Sequence, residues 1–242
     1  MRPVRFLVFQ HTAIEHPGSF REFMDQDGVK WDVVELDEGE SIPDLSPYDA
    51  LIVMGGPMDV WQEDAHPWLK AEKQAIEEAV LGRGLPYLGL CLGHQLLAAS
   101  LDGEAGPMST PEVGLLSVTL NETGRGDPLF RAMPATATAL QWHSAEVKTL
   151  PADSDVLASS PACAVQSFKV GRHAYGIQYH LEMTADTVPE WGMVPEYQTA
   201  LESTLGEGAL SQMERDVAHH LPEFTANARQ LYDNFVGIVK TA

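Results

Sequence analysis

Short, uninterrupted apolar runs alternate with amphipathic stretches along the N-terminal part of the chain. Residues 5–10, 30–35, 50–54 and 86–90 carry compact apolar clusters without strict polar alternation, the pattern of strands covered on both faces of a parallel sheet. Between them, 19–27 predicts a helix closed by Gly28, and 93–101 predicts another. The stretch 67–82 predicts a longer amphipathic helix, with Trp68, Ala71, Ala75, Ile76, Ala79 and Val80 at helical spacing. This βαβ succession predicts an α/β fold built on an open, mostly parallel, doubly wound sheet. From 112 to 179 the texture changes to shorter β pieces at 114–120, 135–141, 164–170 and 173–179, the last two joined by a hairpin turn at Gly171-Arg172. Beyond Glu182 the helical period returns, over 187–205, 209–219 and 223–239. In the last of these Phe224, Leu231, Tyr232, Phe235, Val236 and Val239 form a face suited to core packing. With no repeat, low-complexity tract or linker, the expectation is one domain over 1–242, its core at about 4–190 and a C-terminal helical extension at about 185–242.

Composition narrows the function classes. A chain of 242 residues with 44% hydrophobic and 21% charged positions has the make-up of a globular enzyme. Its formal net charge of -20 repels phosphate backbones and anionic lipids, which argues against nucleic-acid and membrane-surface partners. No apolar run approaches the roughly 18 residues of a membrane span, and Phe6-Leu7-Val8-Phe9 is too short for the hydrophobic region of a signal peptide. Two cysteines in unlike contexts, Cys91 and Cys163, suggest no disulfide framework. A reducing cytoplasm is the expected location.

The chemistry concentrates around Tyr87-Leu88-Gly89-Leu90-Cys91-Leu92-Gly93-His94-Gln95, where an apolar strand runs through Gly-x-Cys-x-Gly straight into a helix. That is a nucleophile elbow with cysteine in place of serine. Glycines are needed on both sides because a Cβ would collide with the neighbouring strand or helix. The turn thrusts the thiol out above the carboxyl ends of the strands, and the helix N-terminus favours its thiolate. A free cysteine is more often a buried structural residue; the glycine frame and the strand-to-helix context reverse that reading for Cys91. Cys163, lacking any such context, is expected in the core.

A thiolate nucleophile needs a base, and the base a third group to fix its tautomer. Of nine histidines, His180 follows the strand-like 174–179 directly, and Glu182 stands two positions on, on the same side of an extended chain. A histidine at a strand end is more often structural, but the glycine-framed cysteine and the carboxylate make His180 the leading choice. His94 is expected to line the pocket floor, and His219 and His220 to be solvated. For the oxyanion of amide attack, one donor is expected from the Leu92 N–H and a second from Gly55-Gly56-Pro57, after the strand at 50–54. No metal-ligand spacing and no nucleotide-binding motif occurs, so neither metal nor other cofactor is expected. Gly124-Arg125-Gly126-Asp127-Pro128 contains an Arg-Gly-Asp tripeptide that reads as a turn.

Taken jointly, Met54-Gly55-Gly56-Pro57-Met58, the segment from Gly89 to Gln95, Gln141-Trp142-His143-Ser144 and Gly176-Ile177-Gln178-Tyr179-His180-Leu181-Glu182 resemble the class I glutamine amidotransferases in order and spacing, over about residues 4 to 190. The chain is similar to stand-alone proteins akin to the amidotransferase domain of GMP synthetase, with γ-glutamyl peptidases in the same neighbourhood. The resemblance implies a flavodoxin-like sheet and a γ-glutamyl thioester on Cys91. It also implies His180 as base and then acid, Glu182 as its orienter, and oxyanion donors at Gly56 and Leu92. Gly55, Gln95, His143 and Ser144 would bind the substrate, glutamine or another γ-glutamyl compound. Two departures stand out: Leu181 where relatives commonly have proline, and Ala145 where many have aspartate. Three functions follow: a glutaminase subunit serving a separate ammonia-accepting synthetase, a free-standing γ-glutamyl hydrolase or peptidase, and an inactive binding module, which the intact Cys91, His180 and Glu182 argue against. The C-terminal helices could cover the pocket, shape substrate choice or form a homodimer contact.

Overall fold

A computed structural model describes residues 2–242. Nine strands form one sheet: β1 (Arg5–Gln10), β2 (Lys30–Glu35), β3 (Ala50–Val53), β4 (Tyr87–Leu90), β5 (Glu104–Leu120), β6 (Thr136–Thr149), β7 (Ser154–Ser159), β8 (Ser167–Val170) and β9 (Ala174–Ile177). Their order is β2-β1-β3-β4-β9-β8-β7-β5-β6. Pairing is parallel from β2 through β9 and antiparallel from β9 to β6. The β-rich segment is therefore a continuation of the same sheet.

The helices are α1 (Phe20–Asp27), α2 (Trp68–Glu77, continued by a wider turn over Glu78–Gly82), α3 (Leu92–Ser100), α4 (Glu122–Gly126), α5 (Thr187–Trp191), α6 (Pro195–Leu205) and α7 (Ala209–Val239). Period-two alternation in the parallel strands explains why helices cover both faces. Phe6 and Val8 of β1, Ile52 of β3 and Leu88 and Leu90 of β4 join a cluster with α1 and α5 to α7. Their alternates Leu7, Phe9, Leu51, Val53 and Tyr87 join another with α2 and α3. No helix among the described residues is long and apolar enough to cross a membrane.

Several boundaries differ from the sequence expectation. β5 and β6 are longer than the predicted 114–120 and 135–141, with β5 irregular between Pro107 and Glu112. β7 has no counterpart in the prediction, its half-polar sequence giving a weak period. The predicted helix 187–205 breaks at 192–194, where Pro195 starts α6 at a first-turn position that suits its fixed φ. Conversely, 209–219 and 223–239 are one helix that runs through Pro222. An interior proline costs about 3 kcal/mol, and the buried Met213, Val217, Phe224 and Ala228 on either side offset it by packing on the core.

Candidate active site

Neighbouring parallel strands bring the candidate residues together. Because β4 lies beside β9 in register Leu90↔Ile177, Cys91 and His180 leave the sheet at the same carboxyl edge, and the Cys91 N–H donates to the Ile177 carbonyl at 2.8 Å. Cys91 has φ 51° and ψ -100° and caps α3, a conformation costly for a residue with a side chain. A Cβ on Gly93 would lie 2.2 Å from the Val53 carbonyl oxygen, and one on Gly89 2.4 Å from the Gly93 backbone. The glycines are thus required by close approach of α3 to β3 and β4.

His180 Nδ1 and Glu182 Oε1 are 2.6 Å apart, both side chains buried. Burial alone would push the His180 pKa down; the charge of Glu182 and its hydrogen bond, with the neighbouring Cys91 thiol, outweigh it and hold it well above the ordinary imidazole value. Burial would raise Glu182, but His180 and two backbone N–H groups leave it below the usual carboxylate range. One of those groups is Leu181, whose N–H donates to Glu182 Oε2 at 2.9 Å. A proline at 181 could not make this bond.

The cleft over Cys91 has a volume of about 80 Å³ and is lined by Gly56, Leu92, Gln95, His143, Ser144 and Tyr197, among others. Leu92 is the first residue of α3, so its N–H has no partner within the helix. Gln95 donates to the Ala145 carbonyl at 3.3 Å and to Gln178 Oε1 at 3.1 Å. His143 Nδ1 is 2.9 Å from the Ala145 carbonyl oxygen, with Nε2 3.2 Å from Glu112 Oε2, and Ser144 is exposed at the cleft wall. Gly55 stands beside the lining residues, its carbonyl facing His11 and its Cα side facing Glu15 and His180. His94 is also displaced from the expected pocket floor. It is buried edge-on against Phe168 at 4.9 Å, and burial lowers its pKa to about 3. Cys163 is in the core, its thiol pushed up to about 12 by burial, and His219 is exposed and His220 half-buried on α7. Among the described residues no group of three His, Cys, Asp or Glu side chains is arranged to hold a metal ion.

Several site residues escaped sequence reasoning. Glu15, in the loop after β1, is buried; a Cβ on Gly55 would lie 2.6 Å from its Oε2 and 3.4 Å from His180 Cε1. It accepts a hydrogen bond from the Tyr197 hydroxyl, and burial raises its pKa. Trp191 packs edge-on to His180 at 4.7 Å and donates to the Ile14 carbonyl; the Trp142 indole donates to the Tyr197 carbonyl at 3.1 Å. The segment after Glu182 thus roofs the site. The first loop is held here by the bonds from Tyr197 to Glu15 and from Trp191 to Ile14, and by the Ser19 N–H donating to the Glu182 carbonyl at 2.6 Å, with Gly18 at φ 51° beside it. The Gly18 of His16-Pro17-Gly18 was the one sequence signal for that turn.

Known proteins share much of this sequence and fold. The family profile described as "Glutamine amidotransferase class-I" matches residues 19–189. A glutamine amidotransferase-like protein of Salmonella typhimurium, YfeJ, is 30% identical over 210 residues, 84% of each chain. Gamma-glutamyl peptidase 3 of Arabidopsis thaliana is 29% identical over 201 residues, covering 77% of this chain and 80% of that one. One subunit of the glutamine-hydrolyzing GMP synthase of Sulfurisphaera tokodaii is 35% identical over 140 residues, 57% of this chain and 70% of that one. The crystal structure of a glutamine amidotransferase from Thermotoga maritima superposes with TM-score 0.87 at 27% identity, over 98% of this chain and 99% of that one. With more than half its length matched by the family profile and its sheet shared with a solved member, the chain belongs to the class I glutamine amidotransferase family.

Proposed function

We propose that the protein hydrolyses γ-glutamyl amide bonds, with Cys91 as nucleophile. The observation that carries this reading is a strained cysteine at a helix N-terminus, beside a buried histidine whose other nitrogen is held by a carboxylate at 2.6 Å. Cys91 Sγ attacks the γ-carbonyl carbon, and the developing oxyanion takes hydrogen bonds from the N–H groups of Gly56 and Leu92. As the C–N bond breaks, His180 gives its proton to the departing amine, and a γ-glutamyl thioester remains on Cys91. Water then attacks that thioester, passing a proton to His180; the C–S bond breaks, releasing glutamate and returning the thiol. Glu182 keeps the imidazole oriented and stabilises its protonated form. Gln95, His143 and Ser144 bound the space for the glutamyl group.

Similarity to a peptidase and to part of a synthase supports two ways of using this chemistry. Tyr197 on the cleft wall and Trp191 against His180, both supplied by this chain's own helices, favour a free-standing γ-glutamyl hydrolase over a subunit serving a synthetase. The purified protein should release glutamate from L-glutamine, glutathione or γ-glutamyl dipeptides, followed by mass spectrometry, and Cys91→Ala should lose at least about 10³-fold of that rate. Equal rates in the variant would remove Cys91 from the mechanism. Silence of the unsubstituted protein toward every substrate would point to a partner that must complete or activate the site.

A further inference from the structure

Behind the Gly55-Gly56 peptide, on the side away from the cleft, lies a fully buried pair that the mechanism above does not use. His11, the first residue after β1, has Nδ1 2.7 Å from the Gly55 carbonyl oxygen and Nε2 2.8 Å from Glu72 Oε1 on α2. Both side chains have zero exposure, and Trp68 stacks on the ring at 5.5 Å and 18°. Each ring nitrogen faces an oxygen acceptor, so the ring carries both protons and donates on both sides. The peptide is trans, so its C=O and N–H point in opposite directions. Fixing the Gly55 carbonyl against His11 therefore fixes the Gly56 N–H toward the opposite side, where Gly56 and Leu92 line the cleft beside Cys91.

A Gly-Gly pair is the most easily rotated peptide in a chain, and an oxyanion donor acts only if it is aimed before charge develops. We propose that His11, held by Glu72, is a positioning residue for the oxyanion hole: by tethering the Gly55 carbonyl it aims the Gly56 N–H at the oxygen of the acyl group attacked by Cys91. The cationic donor also polarises the amide, so the Gly56 N–H becomes a stronger donor through the shared peptide. Glu72 keeps the ring oriented and compensates its charge in a place without water. The inference rests on the proposed Cys91 hydrolase reading.

The test separates oxyanion stabilisation from the reactivity of the thiol. His11→Ala, His11→Gln and the isosteric Glu72→Gln are compared with the unsubstituted protein in two assays. The first is steady-state hydrolysis of γ-glutamyl-p-nitroanilide. The second is alkylation of Cys91 by iodoacetamide, which displaces iodide and develops no oxyanion at the attacked carbon. Loss of the tether should lower kcat in His11→Ala by about 10²- to 10³-fold, with KM and the alkylation rate each within about threefold. His11→Gln, retaining an N–H donor, should recover part of kcat, and Glu72→Gln should fall between. Unchanged kcat, or an alkylation rate that falls in step with kcat, overturns the inference. Should His11→Ala not fold, Glu72→Gln decides by the same two readings. An unsubstituted protein that is alkylated at Cys91 yet hydrolyses no γ-glutamyl substrate overturns the free-standing hydrolase reading and the inference that rests on it, whereas active protein with an equally active His11→Ala overturns only the tether.

Discussion

The charge on His180 is decided by neighbours two residues away in sequence and by one brought from another strand. Burial disfavours the imidazolium, and the Glu182 carboxylate and Cys91 restore it. Glu182 in turn is kept ionised by His180 and by the N–H of Leu181, at the position where a proline would remove that donor. In the proposed mechanism the departing amine needs a protonated His180, so the rate falls once pH exceeds the His180 pKa. Since Glu182 raises that pKa, Glu182→Gln takes the raising influence away and leaves burial to lower it. The alkaline limb of kcat/KM should therefore move to lower pH in Glu182→Gln, with kcat reduced by about 10²- to 10⁴-fold. A pH–rate profile checks this; an alkaline limb that stays in place would detach Glu182 from the titration of His180.

At the scale of elements, the strand–turn–helix from β4 into α3 depends on contact distances that leave no room for a methyl group. A Cβ on Gly93 would sit 2.2 Å from the oxygen and 2.8 Å from the carbon of the Val53 carbonyl, both backbone atoms of a central strand. Relief requires α3 to move off β3, carrying Cys91 and Leu92 with it. Gly93→Ala is expected to cost about 3 kcal/mol of stability. Gly126→Ala, where nothing lies within 4 Å of the added atom, should change it by less than about 0.5 kcal/mol. Urea denaturation of both variants tests the contrast, and equal midpoints would mean that the elbow yields more easily than its packing indicates. The same scale explains α7: the period of Met213, Val217, Phe224, Ala228, Leu231 and Phe235 continues across Pro222, and burial of that face decides against a break that local propensity favours.

For the molecule as a whole, the helices after Glu182 are part of the core. Tyr232 of α7 packs on Phe20 and Phe23 of α1 at 6.0 and 5.7 Å, and Phe235 on Phe6 of β1 at 5.9 Å. Trp191 and Tyr197 contribute both to that cluster and to the roof over His180. A chain ending at Thr184 would expose Phe6, Phe20, Phe23 and the apolar residues of β5 together, an apolar area that folded monomers do not tolerate. Such a chain is expected to lack a cooperative thermal transition and to elute as aggregate in size-exclusion chromatography. A monodisperse shortened chain with sharp unfolding would show instead that the extension is dispensable for folding.

Local sequence was sufficient for the features whose cause is local. The short apolar runs of β1, β3 and β4 fit strands covered on both faces of a parallel sheet. The glycines around Cys91 declare a turn too tight for side chains, and the two-residue spacing of His180 and Glu182 places them on one side of an extended chain. That is why the α/β class, the elbow and the candidate Cys91, His180 and Glu182 are legible in the sequence. What depends on which elements become neighbours is not legible there. Nothing near β1 announces that His11 will tether Gly55 or that Glu15 will be buried against Gly55 and Tyr197, because those contacts exist only once β1 and β3 share a carboxyl edge and α6 folds over it. The continuity of the antiparallel strands with the parallel sheet, the helix through Pro222 and the aromatic roof were likewise decided by tertiary burial, which outweighs local preferences of a few kcal/mol.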